Sequence, residues 1–547
     1  ESSIELLNVL AEVRLARPCH YDFTDLTAGE QEEWIDDAIG RIIFPGGEAP
    51  AVCLLDTGIN RGHPLISPLL AEQDNHTVFG DGDPSDGDDG DGHGTRMAGI
   101  AAYGDLRSLM LPSARWMQSH RLEGVRMFDE NRPHQPQNYG EITRQAISLP
   151  EIAEPDRERI FSLPITERGP STGAPSAWSA AIDSLAFGGE EAAPHRRLIF
   201  VSAGNINAFE PANAARYPAI NEESQIESPG QAWNAITVGA FTRHAEVREA
   251  DPESRALSTL APEGGLSPHT RTSVNWDSHW PIKPDIVMEG GNIAIHPEHG
   301  PERRDSLEPL TTSKRFRTHP IAPFRATSAA TAAAARLGAR VLAEYPGLWP
   351  ETIRGLIVHS ADWTPAMLNG LDPHQPGVGD QVEGLLRRYG YGEPRQGRAW
   401  ASSQNEVTLF RHDELQPYAG PQGSVRINDC HIHRLSLPSG LLESISDTPC
   451  RMRVTLSSFV APNPSASNRI PGSRYRYGGC LLRVRVRHRN ESEANFLAQV
   501  SRDAEEEDSE SLRDPSWALG RQLRNKGGSL VQDIWQGNAA DLLTMDQ

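Results

Sequence analysis

The 547-residue sequence predicts an α/β fold: a parallel sheet flanked by helices, followed by a C-terminal antiparallel β-sandwich or jelly-roll-like domain. Three observations carry that prediction. Short apolar runs at 52–55 and 198–201 end in turn residues, the pattern of strands buried on both faces. Small-residue segments of high helix propensity occupy 93–102 and 329–341. Beyond residue 401, apolar and polar residues alternate at 452–456 and 481–487, as in half-buried antiparallel strands.

Taken in chain order, residues 1–48 form an N-terminal extension or a pro-region remnant. They hold an apolar stretch at 4–13 and a helix with Asp25 or Thr27 as cap and 30–43 as body. A docking extension on the next domain is the preferred reading. Residues 49–365 form the main α/β domain, closed by the Ala-rich helix and a second helix that starts at Pro350. Residues 366–400, rich in Gly, Pro and Arg, read as a linker with one returning segment. Residues 401–547 form the β-rich domain, in which 533–536 is strand-like and the acidic run 505–510 is a solvated loop.

The candidate chemistry lies at the ends of these elements. Asp56 ends the first apolar run, where open α/β sheets place their sites. His93 begins the Gly-flanked helix, and Ser328 begins the Ala-rich one. A serine hydroxyl becomes a nucleophile only when a base takes its proton, and an imidazole can do so. A carboxylate on the far side of that imidazole fixes its tautomer and stabilises its charged form. Backbone N–H groups at a helix N-terminus can stabilise an oxyanion beside Ser328.

Asp56-Thr57-Gly58, His93-Gly94-Thr95, Ser202-Ala203-Gly204-Asn205 and Thr327-Ser328-Ala329, in that order, resemble the motifs of subtilisin-like serine peptidases, the subtilases. The resemblance covers about residues 50–365 and extends to 234–240 and to Lys283-Pro284-Asp285. It implies a bacterial-type serine endopeptidase with Asp56, His93 and Ser328 as triad, Asn205 as oxyanion donor and an acyl-enzyme intermediate. It further implies a first substrate pocket between Ser162-Leu163 and Ser202-Ala203-Gly204. The alternative is a catalytically idle subtilase fold acting as a regulatory or partner-binding module. Three departures stand out. Ala326 replaces the usual Gly, so its backbone should suit a β-carbon. The usual Pro after the Ser is missing from Ser328-Ala329-Ala330-Thr331. Pro164 removes an N–H beside the pocket.

Two gaps are long, and 112–155 and 296–325 read as loop insertions that shape the cleft or dock a regulatory protein partner. The segment 81–91 carries six carboxylates. It reads as a solvated acidic loop that favours Lys or Arg in the substrate. A calcium site using Asp81, Asp83 and Asp86 stays open beside that reading. No cofactor is required. The formal net charge of −22 argues against nucleic-acid binding, and no apolar run is long enough for a membrane span. A protein or peptide is the expected substrate. Five cysteines, an odd number at low density, argue against a disulfide framework and favour a cytoplasmic over a secreted location.

Overall fold

The computed structural model describes residues 23–80, 82–88, 90, 92–112, 114–169, 171–188, 195–249, 251–278, 280–399, 402–403, 406–415, 418–419, 426–428, 431–433, 439–461, 487, 491–498, 516–526 and 528–546. The apolar stretch at 4–13, the strand expected over 481–487 (all but residue 487) and the acidic run at 505–510 lie outside them.

The fully buried run Ala51–Asp56 forms β1 at the heart of an eight-stranded sheet. The other strands are β2 (Asn75–Thr77), β3 (Arg121–Arg126), β4 (Arg159–Leu163), β5 (Leu198–Ser202), β6 (Ile236–Thr242), β7 (Gly265–Leu266) and β8 (Ile286–Glu289). The sheet runs β7-β6-β5-β4-β1-β3-β2, with β8 also paired to β6. Every pairing is parallel except β7 with β6. Strand order reverses around β1, which lies between β3 and β4, so a crevice opens at its C-terminal end.

Helices cover both faces. They are α1 (Ala28–Arg41), α2 (His93–Tyr103), α3 (Tyr139–Ala153), α4 (Ala177–Phe187), α5 (Ala326–Glu344), α6 (Pro350–His359) and α7 (Gly379–Tyr389). The two-residue period of β1 divides its side chains between two cores. Val52 and Leu54 join the core of α2 and α5, while Cys53 and Leu55 meet Trp178 and Ile182 of α4. Burying one such aliphatic side chain stabilises by about 1.5–3 kcal/mol.

The N-terminal helix starts where its cap lies. Thr27 accepts from the Glu30 N–H, and the Glu30 carboxylate accepts from the Thr27 N–H, a reciprocal capping box. Gln31 of α1 accepts from the Ile321 N–H at 3.2 Å, which docks the helix beside the segment leading to Ser328.

Both long gaps are folded rather than loose. Residues 112–155, expected as a loop, supply sheet strand β3 and helix α3. Residues 296–325 contain the hairpin β9 (Leu310–Thr312) and β10 (Ile321–Pro323). Thr311 and Thr312 hydroxyls donate to the Arg96 and Thr95 carbonyls of α2, each at 2.7 Å. Residues 379–389, expected within a linker, form α7, whose Val382 and Leu386 are buried in the main core.

The expected C-terminal sandwich is not among the described residues. Past 401 they hold three two-stranded antiparallel sheets, the longest joining β11 (Pro449–Ser457) to β12 (Leu530–Asn538). The alternation read at 452–456 and the strand-like 533–536 both fall within this pair, with Met452 opposite Trp535. Arg354 of α6 fastens it: the guanidinium donates to the Ser458 and Ser529 carbonyls at 2.7 and 2.8 Å, to the Ser457 hydroxyl and to the Trp233 carbonyl. No described helix is long and apolar enough to cross a membrane.

Candidate active site

Asp56 is the last residue of β1 and is 1% exposed. One carboxylate oxygen accepts the Thr57 N–H at 2.6 Å. Both oxygens face His93 Nδ1, at 2.8 and 3.0 Å. The other ring nitrogen, Nε2, lies 3.1 Å from Ser328 Oγ. The imidazole is thus hydrogen-bonded on one side to a buried carboxylate and on the other to a serine hydroxyl. Burial alone would push the His93 pKa down, but the charge and hydrogen bond of Asp56 outweigh it and hold the pKa above the usual histidine value. The Phe324 ring meets the imidazole edge-on, with centroids 5.4 Å apart.

His93 can reach both partners because α2 begins against the end of β1. A β-carbon on Gly94 would lie 2.0 Å from the Gly58 carbonyl oxygen, so only glycine allows this approach. Polar groups pin the helix start. The Thr57 hydroxyl accepts from the Gly94 N–H, and Asp88 accepts from the Gly92 and His93 N–H groups at 3.1 Å each. Asp86 accepts from the Thr57 hydroxyl and from both the N–H and hydroxyl of Thr95. Its burial pushes its pKa up, and those hydrogen bonds hold it back.

Of the acidic segment's described carboxylates, Asp86 and Asp88 are thus engaged at the start of α2. Asp83 accepts from the Ser85 N–H and pairs with Arg126. Asp81 lies outside the described residues. No group of three or more His, Cys, Asp or Glu side chains suited to a metal ion is gathered among the described residues.

Ser328 sits in the first turn of α5 and is 5% exposed. The preceding turn is strained. Ala326 has φ +67°, the left-handed region, whereas a β-carbon was expected to require an ordinary backbone angle. The glycine-like conformation is kept despite the β-carbon, which costs about 1–2 kcal/mol. The Ala326 N–H is held by the Gly290 carbonyl at 2.7 Å, which helps fix that geometry.

Asn205 follows β5, and its Oδ1 accepts from the Thr327 N–H at 3.0 Å and the Thr327 hydroxyl at 2.6 Å. Those two donors settle which end of the amide faces Thr327 and leave Nδ2 as a donor one residue from Ser328. Ser202, in turn, bonds the Thr327 hydroxyl at 2.6 Å.

The expected pocket walls are neighbours. Leu163 ends β4 opposite Val201 of β5, with Ser202, Ala203 and Gly204 following on. Ser162, Leu163, Ser202 and Ala203 are all fully buried. Beneath Gly204 lies a group that no sequence motif marks, the Glu227 carboxylate, 3% exposed. Its Oε2 accepts from the Thr166 hydroxyl at 2.6 Å, and Arg271 Nη2 stands 3.0 Å from Oε1.

A buried-strand Asp, a helix-initial His and a helix-initial Ser, joined across a parallel sheet, define a class. The subtilase family model (Peptidase_S8) matches residues 47–392, and the chain belongs to that family. Among curated proteins it is similar to the uncharacterized protein y4bN of Sinorhizobium fredii, 25% identical over 319 residues, or 55% of this chain and 64% of that protein. The match thus spans less than two thirds of the relative's own length. Among solved structures it is similar to a lanthipeptide protease, 18% identical with TM-score 0.38, over 64% of this chain and 86% of the other. It is also similar to a serine protease of Aeromonas sobria, 16% identical with TM-score 0.42, over 76% and 68% of the two chains.

Proposed function

We propose that this chain is a serine endopeptidase that hydrolyses peptide bonds through an acyl-enzyme. The observation that carries the reading is His93 standing within hydrogen-bond distance of Asp56 on one ring nitrogen and Ser328 on the other. Ser328 Oγ attacks the scissile carbonyl carbon while His93 Nε2 takes its proton. The carbonyl oxygen becomes an oxyanion, stabilised by Asn205 Nδ2 and the free N–H groups of the first turn of α5. His93 then gives its proton to the leaving amine, and the C–N bond breaks. Water, activated by the same imidazole, hydrolyses the acyl-enzyme and restores the serine. Asp56 keeps the imidazole in the tautomer that presents a lone pair to Ser328.

The test is turnover of casein or a peptide anilide by purified wild-type and Ser328→Ala protein. The substitution should lower kcat by about 10⁶. Undiminished hydrolysis by Ser328→Ala would refute the assignment, and a folded wild type that cleaves nothing would favour an idle, partner-binding fold.

A further inference from the structure

We propose that Glu227 is a specificity-determining residue that selects Arg or Lys immediately before the scissile bond. This rests on the peptidase reading above. If Ser328 attacks a carbonyl whose oxygen turns to Asn205, the side chain on the acyl side falls beside Gly204, the neighbour of Asn205. Gly204 offers no side chain there, and a β-carbon at that position would lie 2.6 Å from Glu227 Oε2. Gly204 is thus bordered by the Glu227 carboxylate, with Arg271 Cδ 3.0 Å from the same position.

That carboxylate has acceptor capacity to spare. A carboxylate offers about four lone-pair positions. Among the described residues, Thr166 donates the hydrogen bond to Oε2, and Oε1 is buried with no hydrogen bond. Arg271 stands 3.0 Å from Oε1, but its Nε and Nη1 donate to the carbonyls of Asn205 and Gln225. The guanidinium is therefore held in the wall and pairs with Oε1 alone, through Nη2. Thr166 and Arg271 leave lone-pair positions of the carboxylate open, and a substrate guanidinium or ammonium arriving over Gly204 would take them. An acidic side chain would be repelled, and an apolar one would gain no such bond.

The experiment uses peptide anilides that differ only in the residue before the scissile bond: Arg, Lys, Gln, Leu or Glu. Wild type should prefer Arg and Lys over Leu by at least 10-fold in kcat/KM. Glu227→Gln should reduce the Arg-to-Leu ratio by about 10²-fold, and Glu227→Lys should turn the preference toward Glu. Labelling of each variant by a fluorophosphonate reports separately whether its serine site is assembled. Wild type that is labelled but shows no preference for Arg or Lys would overturn the proposal. So would a labelled Glu227→Gln variant with an unchanged ratio. Wild type that is neither labelled nor active overturns the peptidase reading itself, and this inference with it.

Discussion

Two regions of the molecule are held by opposite means. The sheet from β2 to β8 is stabilised by apolar side chains on both faces, and its polar groups gather at strand and helix ends. The β11–β12 pair is fastened to α6 mostly by polar contacts: the buried Arg354 guanidinium donates to main-chain and hydroxyl oxygens of three segments, Arg453 donates to the His359 and Ala361 carbonyls, and His359 bonds the Thr455 hydroxyl. In the first region precision at the site comes from redundancy. Asp56, His93 and Asn205 are each fixed by neighbours that are themselves fixed. In the second, a few guanidiniums, Arg354 foremost, carry much of the attachment.

Substitutions in the redundant region should show in chemistry more than in folding. After Ser328, the largest effect is expected at Asp56. Asp56→Asn should lower kcat by about 10⁴, because the amide favours the wrong imidazole tautomer. It should also move the pH profile. Peptidase activity needs neutral His93, and in wild type Asp56 raises the His93 pKa, so kcat/KM should be lost on acidification at a pH above the usual histidine value of about 6.5. Removing the negative charge should shift that acid limb to lower pH. A limb at the same pH in both proteins would mean that the pair is not coupled. Asn205→Ala should follow, with kcat down about 10²–10³ and KM little changed. A loss confined to KM would assign Asn205 to substrate binding instead.

Substitution of Arg354 should do the reverse. Arg354→Ala leaves the Ser458 carbonyl without its donor and removes one donor each from the Trp233 and Ser529 carbonyls, and should cost about 3 kcal/mol in urea unfolding. Fluorophosphonate labelling should persist below the new midpoint, since Arg354 touches none of the three reacting side chains. Simultaneous loss of labelling and of the β11–β12 attachment under native conditions would show the two regions to be one cooperative unit. The smallest effect is expected at Ala326. Ala326→Gly relieves about 1–2 kcal/mol of left-handed strain but adds about 0.4–1 kcal/mol of unfolded-state entropy. A net gain of about 0.5–1 kcal/mol should raise the midpoint slightly. A fall would mean that Ala326 is unstrained.

The candidate site was legible because its residues sit at element boundaries, which sequence marks well. A buried apolar run ending in Asp56, and glycines before His93, announce the strand tip and the helix start. Strand β3 was hidden by its own chemistry. Glu123 in its middle is 1% exposed and is held by Arg157 and Arg159 at 2.8 and 2.9 Å, so a buried strand carries charged letters. The carboxylates near His93 were misleading for a related reason. Asp86 and Asp88 spend their oxygens on the start of α2, so neutralising them would disturb the helix as well as the field around the cleft. Glu227 was invisible because only the tertiary fold brings it beneath Gly204. The left-handed backbone of Ala326 was equally hidden, being imposed by the surrounding turn against the preference of the residue.

The central claim is that Ser328 is a nucleophile activated by His93. Mass-spectrometric mapping of a fluorophosphonate adduct on the folded protein tests it most directly. A single adduct should lie on Ser328 in wild type and vanish in both Ser328→Ala and His93→Ala. An adduct on another serine, no adduct on folded wild type, or labelling of Ser328 unaffected by the loss of His93 would contradict it.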